Sequence, residues 1–157
     1  MLIDVGEFLK EPPGALLKRK IQITAQKIDN EVRTKKPTVG KIELKRTDKG
    51  ITCNYKINST LGLICFRCAE EFEKKISFNF NTQYRLPQTD LPEAVFEEEQ
   101  DGGFFYILPN NKIDPWPAIR QEILLSLPMK ILCRKSCRGI CLKCGQNLNK
   151  NKCQCQK

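Results

Sequence analysis

The chain has 157 residues, which is enough for one hydrophobic core and a small appendage but too few for two independent cores. It contains nine cysteines and no histidine, and its formal net charge is +9. No apolar run approaches the roughly 18 residues that cross a bilayer, and the first residues lack the apolar core of a secretory signal, so we expect a cytoplasmic protein with reduced cysteines.

The first part of the chain predicts two short elements. Segment 1–14 holds a few apolar residues before the break at Pro12-Pro13-Gly14, which favours an edge strand or a short turn of helix packed on the body. Ile21, Ile23 and Ala25 then alternate with polar residues, a pattern typical of a half-buried strand.

Region 39–86 carries the clearest strand signal. Apolar and polar residues alternate on both sides of the turn Thr47-Asp48-Lys49-Gly50, and the alternation continues to Cys65. It resumes at Phe72 after a break at residues 66–69. The pattern predicts an antiparallel meander of about four strands.

An acidic stretch follows the meander. Residues 87–101 contain six acidic and no basic side chains and show no periodicity, so we expect a surface loop there. The short apolar run 104–108 predicts one more strand.

One principal helix is predicted at about residues 114–127. Asp114 is a candidate N-cap, and prolines follow it in the first turn, where backbone N–H groups lack intrahelical partners. Trp116, Ile119, Ile123 and Leu127 recur at helical spacing, and the next residue is a proline that ends the helix. The apolar stripe should be buried against the sheet.

The last 25 residues have the composition of a metal-binding tail. Six cysteines lie there, and residues 131–157 carry seven basic side chains and no acidic one. Cys141 and Cys144 form a C-x-x-C pair followed by Gly145, which suits a tight turn that needs a positive φ. Because the chain has no histidine, a zinc ion would be held by sulfur in a closed structural site. Free thiols or a disulfide are the alternative.

The cysteines can be divided into one or two zinc sites. Cys53 lies in the apolar phase of its strand and is interpreted as a core residue. The C-F-R-C turn lies between strands rather than at the start of a helix, which disfavours a thioredoxin-like redox motif. One predicted site contains Cys141, Cys144, Cys153 and Cys155. The second contains Cys65, Cys68, Cys133 and Cys137. A rival arrangement moves Cys137 into the first site in place of Cys153 or Cys155, because a C-x-C pair chelates one ion only with strain.

Together these patterns predict an α+β fold. We expect a mainly antiparallel β-sheet, open or partly closed as a barrel, with one principal helix and a zinc-ribbon-like tail. The predicted body covers residues 1–130 and the predicted tail covers residues 131–157.

Three segments taken together resemble a known family. They are L-x-L-I-C-F-R-C-A-E-E-F, I-D-P-W-P-A-I-R-Q-E-I-L-L-S-L-P-M-K-I-L-C and C-R-G-I-C-L-K-C-G-Q-N-L-N. They resemble the bacterial YceD family, the large ribosomal RNA subunit accumulation proteins. The resemblance implies a role in the synthesis, processing or stability of 23S ribosomal RNA during ribosome biogenesis, with structural metal as a stabiliser. It supplies no catalytic residue.

The leading hypothesis is a non-enzymatic, zinc-stabilised factor that binds ribosomal RNA or a pre-ribosomal particle. Its basic side chains would contact phosphates, and the tail has no aromatic residue for stacking on bases. The predicted RNA-binding residues are Arg67, Arg134, Lys135, Arg138, Lys143, Lys150 and Lys152. An enzyme is disfavoured by the missing histidine and by the lack of a P-loop, Rossmann fingerprint or G-x-S-x-G elbow. An adaptor that binds a large-subunit ribosomal protein, with an indirect effect on RNA, is the third hypothesis.

Overall fold

The computed structural model describes residues 1–29, 32–87 and 103–155. The described elements are the strands β1 (Ile3–Asp4), β2 (Leu16–Ile23), β3 (Arg33–Thr34), β4 (Thr38–Thr47), β5 (Gly50–Ile64), β6 (Glu71–Arg85), β7 (Phe104–Tyr106) and β8 (Lys112–Ile113), a 3-10 turn at Phe8–Lys10 and the helix α1 (Trp116–Ser126). The N-terminal segment thus contains both a short strand and a turn of helix.

An antiparallel meander forms the centre of the molecule. The strands pair in the order β2-β4-β5-β6, and Thr47 lies opposite Gly50 at the predicted turn. β5 and β6 pair along their full length, from Gly50 opposite Arg85 to Ile64 opposite Glu71. The prediction of a mainly antiparallel sheet is confirmed, because period-two patterning fixes which face of each strand is buried.

The sheet is completed by non-local pairs that the patterning did not predict. β7 pairs with β6 in parallel, and β3 pairs with β5 beyond the end of β4. β1 and β8 form a separate two-stranded sheet. Among the described residues the larger sheet has β2 and β7 at its two edges and does not close into a barrel, so the partly closed alternative is not supported. The acidic loop predicted at residues 87–101 lies outside the described residues, apart from Pro87.

The core lies between one face of the sheet and α1. It includes Ile42 and Leu44 of β4, Tyr55 and Ile57 of β5, and Ile119 of α1, each at most 1% exposed. Burial of these side chains supplies the main stabilisation of the fold. No helix in the described part of the chain has the length and apolar character to cross a membrane.

Cys53 is a core residue, as predicted. Its side chain is fully buried among the apolar residues of the sheet. Burial raises the pKa of its thiol far above the usual value. The group therefore stays neutral and is distinct from the cysteines of the turn and the tail.

The helix is shorter than predicted. It runs from Trp116 to Ser126, and its N-cap position is Pro115 rather than Asp114. Asp114 still provides a hydrogen-bond acceptor at the N-terminus of the helix, since its Oδ1 accepts a hydrogen bond from the backbone N–H of Trp116 at 3.1 Å. Of the predicted stripe, Ile119 and Ile123 are both 0% exposed, and Trp116 and Leu127 are partly buried against the core.

Candidate metal centre

Four cysteines from distant parts of the chain form a buried group, which we call the inner cluster: Cys65, Cys68, Cys133 and Cys137. Their Sγ atoms all lie within 4.8 Å of one another. Cys65 Sγ is 3.8 Å from Cys137 Sγ, and Cys68 Sγ is 3.8 Å from Cys133 Sγ. The β5–β6 turn supplies two sulfurs and the segment after α1 supplies the other two.

The remaining tail cysteines form a second group, the outer cluster: Cys141, Cys144, Cys153 and Cys155. Its Sγ atoms also lie within 4.8 Å of one another, with Cys144 at 3.6 Å and Cys141 at 3.3 Å from Cys153. Cys144 and Cys155 are exposed, whereas three of the four inner sulfurs belong to buried residues. The two clusters therefore differ in access to solvent.

The sulfur spacing fits a tetrahedral ion. Four thiolates about 2.3 Å from a central zinc lie about 3.8 Å apart along each edge of the tetrahedron. The inner distances of 3.8 Å match that edge, and the outer distances are slightly shorter. A disulfide would bring two sulfurs to about 2.05 Å, and all nine cysteines are free. The structure groups the eight sulfurs as the first predicted arrangement does, so Cys137 lies with the inner set.

The inner cluster is built on the turn between β5 and β6. The backbone N–H of Cys65 donates to the carbonyl of Glu70 at 2.9 Å, and the N–H of Ala69 donates to the carbonyl of Cys65 at 2.9 Å. Ala69 has a φ of 55°, which is unusual for a residue with a Cβ. The tight turn directs both sulfurs to the same side.

The outer cluster contains the same turn. The N–H of Cys141 donates to the carbonyl of Gln146 at 2.8 Å, and the N–H of Gly145 donates to the carbonyl of Cys141 at 2.8 Å. Gly145 has a φ of 72°, as its position after the C-x-x-C pair predicts. Ile140 pairs with Asn147 in an isolated antiparallel bridge, as Ile64 pairs with Glu71 in the first turn.

The two turns are an internal repeat that sequence reasoning missed. Residues 64–71 read I-C-F-R-C-A-E-E, and residues 140–147 read I-C-L-K-C-G-Q-N. Both backbone hydrogen bonds inside the first turn have a counterpart in the second at the same offset. The sequence contains a signal for this repeat: in both segments an isoleucine directly precedes a C-x-x-C pair, and a basic residue directly precedes the second cysteine. A zinc-ribbon-like arrangement of the whole tail stays a prediction, because the strand pairing in the described tail is limited to this bridge.

The thiols of each cluster have unequal proton affinities. Burial alone would raise the pKa of Cys65, but backbone N–H groups directed at its sulfur lower it to about 6. The N–H of Cys144 contributes most to lowering the pKa of Cys141 to about 6. Burial and neighbouring thiols raise the pKa of Cys133 to about 12, and neighbouring thiols raise that of Cys155 to about 12. Each cluster therefore contains a cysteine that loses its proton easily and a cysteine that keeps it. A bound cation would favour deprotonation of all four cysteines in a cluster.

Asn149 supports the inner cluster and was not predicted. Its Nδ2 donates to Cys137 Sγ at 3.3 Å, and its Oδ1 accepts from the backbone N–H of Arg138 and from Nη2 of Arg134, both at 2.9 Å. Its own backbone N–H donates to Asn147 Oδ1 at 2.9 Å. Such side-chain-to-backbone turns are common for asparagine, so the N-x-N run beside the cysteines was the available signal.

Backbone hydrogen bonds hold the tail against the β5–β6 turn. Phe66 N–H donates to the carbonyl of Ile131 at 2.9 Å, and Ile140 N–H donates to the carbonyl of Arg67 at 3.1 Å. Nη1 of Arg67 donates to the carbonyl of Cys137 at 3.1 Å. The tail is thus attached to the sheet on both sides of the inner cluster.

The predicted basic residues lie at the surface near the clusters. All seven are exposed: Arg67, Arg134, Lys135, Arg138, Lys143, Lys150 and Lys152. Some have internal partners, since Lys150 Nζ lies 2.7 Å from Glu70 Oε1 and Arg134 bonds to Asn149. Because exposed ion pairs are weak, an anion could displace Lys150 from its carboxylate at low cost.

Comparison with known proteins identifies the family. The family model described as large ribosomal RNA subunit accumulation protein YceD matches residues 53–157. The chain is 28% identical over 140 residues to an Arabidopsis thaliana protein named large ribosomal RNA subunit accumulation protein YCED homolog 1, chloroplastic, and 25% identical over 143 residues to the Zea mays protein of the same name. Each match covers 76% of this chain but only 44% and 49% of the respective relative. No solved structure shows a significant match. Since the family model covers about two thirds of the sequence, the chain belongs to the YceD family of large ribosomal RNA subunit accumulation proteins.

Proposed function

We propose that the inner and outer clusters each hold one structural zinc ion. The support is the spacing of two sets of four sulfurs and the lack of histidine and of disulfides. Four sulfur ligands fill a tetrahedral ion, so neither site would keep the open position that catalysis by zinc requires. Thiolates must stay reduced, which favours a reducing compartment such as the cytoplasm.

We further propose that the chain is a non-enzymatic factor in the accumulation of 23S large-subunit ribosomal RNA, and that its tail binds the RNA or a pre-ribosomal particle. Membership of the family supports the role in RNA accumulation. The observation that carries the binding mode is the exposed basic set beside the two clusters. Two sites of one zinc and four thiolates would lower the formal net charge from +9 to about +5, so the chain stays attractive to a polyanion.

Binding of large-subunit ribosomal RNA by the tail should depend steeply on salt. Each phosphate that a basic side chain neutralises contributes about 0.7 to 0.9 log units of affinity per tenfold change in salt. Changing Lys135, Arg138 and Lys152 together to glutamine should therefore lower the slope by about 2 to 3 and weaken binding. A titration of fluorescent RNA fragments at several salt concentrations measures both.

The control for this experiment removes the same charge from Lys10, Lys36 and Lys49, which lie on the body and are exposed. That variant should bind nearly as well as the unaltered chain. Two results would contradict RNA binding by the tail: an RNA affinity of the unaltered chain that does not change with salt, or equal losses of affinity in the two triple variants.

An adaptor role is the second candidate. Leu142 is 98% exposed between the two cysteines of the outer turn, and Ile140 is 40% exposed beside it. Exposed apolar side chains held on a rigid turn are typical of protein contacts. Crosslinking in cells separates the two: contacts from the tail to ribosomal RNA support the first proposal, and contacts only to a large-subunit ribosomal protein support the second.

The repeated turn yields a matched pair of substitutions. Gly145→Ala places a Cβ at a φ of 72° with no atom within 4 Å of it, so the cost is backbone strain alone, about 1 kcal/mol. Ala69→Gly removes the same strain at a φ of 55°. We expect the first to weaken zinc binding by the outer cluster about fivefold and the second to strengthen binding by the inner cluster by a similar factor. Competition with a chelator measures both, and changes in the same direction would contradict the equivalence of the turns.

A further inference from the structure

Three lysines lie side by side on the exposed face of the larger sheet. Lys20 of β2 is directly opposite Lys41 of β4, and Lys41 is directly opposite Lys56 of β5. All three are exposed. Neighbouring strands are about 4.8 Å apart, so three positive charges line up across about 10 Å. We call Lys20, Lys41 and Lys56 the lysine row.

The three lysines of the row form no ion pair with any carboxylate in residues 1–29, 32–87 and 103–155. Like charges directly opposite each other destabilise a sheet. In the described part of the chain no ion pair reaches any of the three lysines, and the nearby carboxylate of Glu43 lies 3.0 Å from Lys18 instead. Among the described residues the repulsion between these three like charges is therefore not relieved by an ion pair, and a bound polyanion would remove it.

The shape and the neighbours of the row also suit a polyanion. Two adjoining depressions, of about 550 and 710 Å³, both include the three lysines in their walls. Asn54 lines the first depression together with Glu43, whose carboxylate is paired with Lys18, and Asn58 lines the second. Asn79, directly opposite Lys56 on β6, extends the row with another amide. Lysine ammonium groups contact phosphates, and amides can bond to ribose hydroxyls or phosphate oxygens.

The outward face near the row is not built to stack on bases. Phe72, Phe78 and Phe80 of β6 alternate with its outward residues and pack on the core side instead. Sheets that read single-stranded RNA present aromatic residues for stacking, whereas double-stranded RNA is recognised through phosphates and 2′-hydroxyls. Lysines and amides without exposed aromatics favour the duplex.

We propose that the lysine row binds the sugar–phosphate backbone of a double-helical RNA segment, as a second contact surface apart from the tail. The inference rests on the proposed RNA-binding function and extends it to the sheet. Lys56 of β5 and Cys65, which directly follows the end of that strand, are nine residues apart, or about 30 Å of extended chain. The row and the tail thus contact different stretches of RNA.

The test replaces all three lysines of the row with glutamine in the 157-residue chain loaded with zinc. Binding to a fluorescent RNA duplex of about 16 base pairs is titrated at several salt concentrations. Because this variant cannot neutralise three of the phosphates, we expect the affinity near physiological salt to fall about 100-fold and the salt slope to decrease by about 2 to 3. Circular dichroism and zinc content should not change, because the three side chains are exposed.

The variant lacking Lys10, Lys36 and Lys49 is again the control, since it loses the same charge at scattered exposed sites. Equal affinities for the row variant and this control would overturn the inference, and loss of binding in the Lys135, Arg138 and Lys152 variant would then leave the proposed function standing. Loss of affinity for single-stranded RNA but not for the duplex would also overturn the inference. An unaltered chain that binds no RNA would overturn both.

Discussion

If each cluster holds the proposed zinc ion, replacing Cys65 with serine should reduce the number of bound ions from two to one and lower the free energy of unfolding by at least about 4 kcal/mol. Structural zinc contributes about 10 to 16 kcal/mol of apparent binding free energy in zinc-finger peptides, and much of it appears as folding free energy. Cys65 is 1% exposed, and the loss of its sulfur leaves three crowded thiols without a closed site. Native mass spectrometry counts the ions, and chemical denaturation measures the free energy of unfolding.

Two other cysteines provide controls for this variant. Cys53→Ser changes a fully buried cysteine that belongs to neither cluster, so it should lower stability but keep two zinc ions. Cys144→Ser changes an exposed cysteine of the outer cluster, so it should also lose one of the proposed ions while the melting temperature of the sheet stays nearly unchanged. If the Cys65→Ser protein kept both ions, the inner cluster would not be a metal site. If the unaltered protein bound no metal, both proposed sites would be contradicted.

The sequence predicted the local features of the fold better than the distant ones. Alternation along β4 and β5 determines which side chains are buried, so the hairpin around Gly50 could be recognised from neighbouring residues alone. The parallel pairing of β7 with β6 joins Arg85 to Tyr106 across a long stretch of chain, and no short-range pattern encodes such a partner. For the same reason, the pairing of β1 with β8 was not foreseen.

The grouping of the cysteines was predictable only in part, and the residues that support it were not predicted. The C-x-x-C spacing and the count of eight remaining cysteines gave two groups of four but left open a rival that placed Cys137 with the last cysteines, and the structure places Cys137 in the inner cluster. The turn at Ala69 was less accessible, since alanine gives no hint of a positive φ. The bond from Asn149 to Cys137 depends on how the tail folds back, which spacing does not specify.

The second large effect concerns the helix, where Ile123→Asp should unfold the body. Ile123 is 0% exposed and packs in the core between α1 and the sheet. An aspartate side chain there would either be charged and buried without a partner or be protonated at a cost in free energy. Either outcome lowers the free energy of unfolding by several kcal/mol. Because domains of this size are stable by only about 5 to 15 kcal/mol, most of the margin would be lost.

Leu125→Asp is the matched control, because it makes a similar change two residues away on the same helix at a site that is 73% exposed. We expect its unfolding free energy to stay within about 0.5 kcal/mol of the unaltered protein. Zinc content adds a second measurement for the Ile123 variant. The inner cluster takes two sulfurs from the β5–β6 turn, so its proposed ion should be lost when the sheet unfolds, whereas all four sulfurs of the outer cluster come from residues 141–155 and its proposed ion should be retained. If the two helix variants had equal free energies of unfolding, α1 would not pack on the core through Ile123 as it does in the structure.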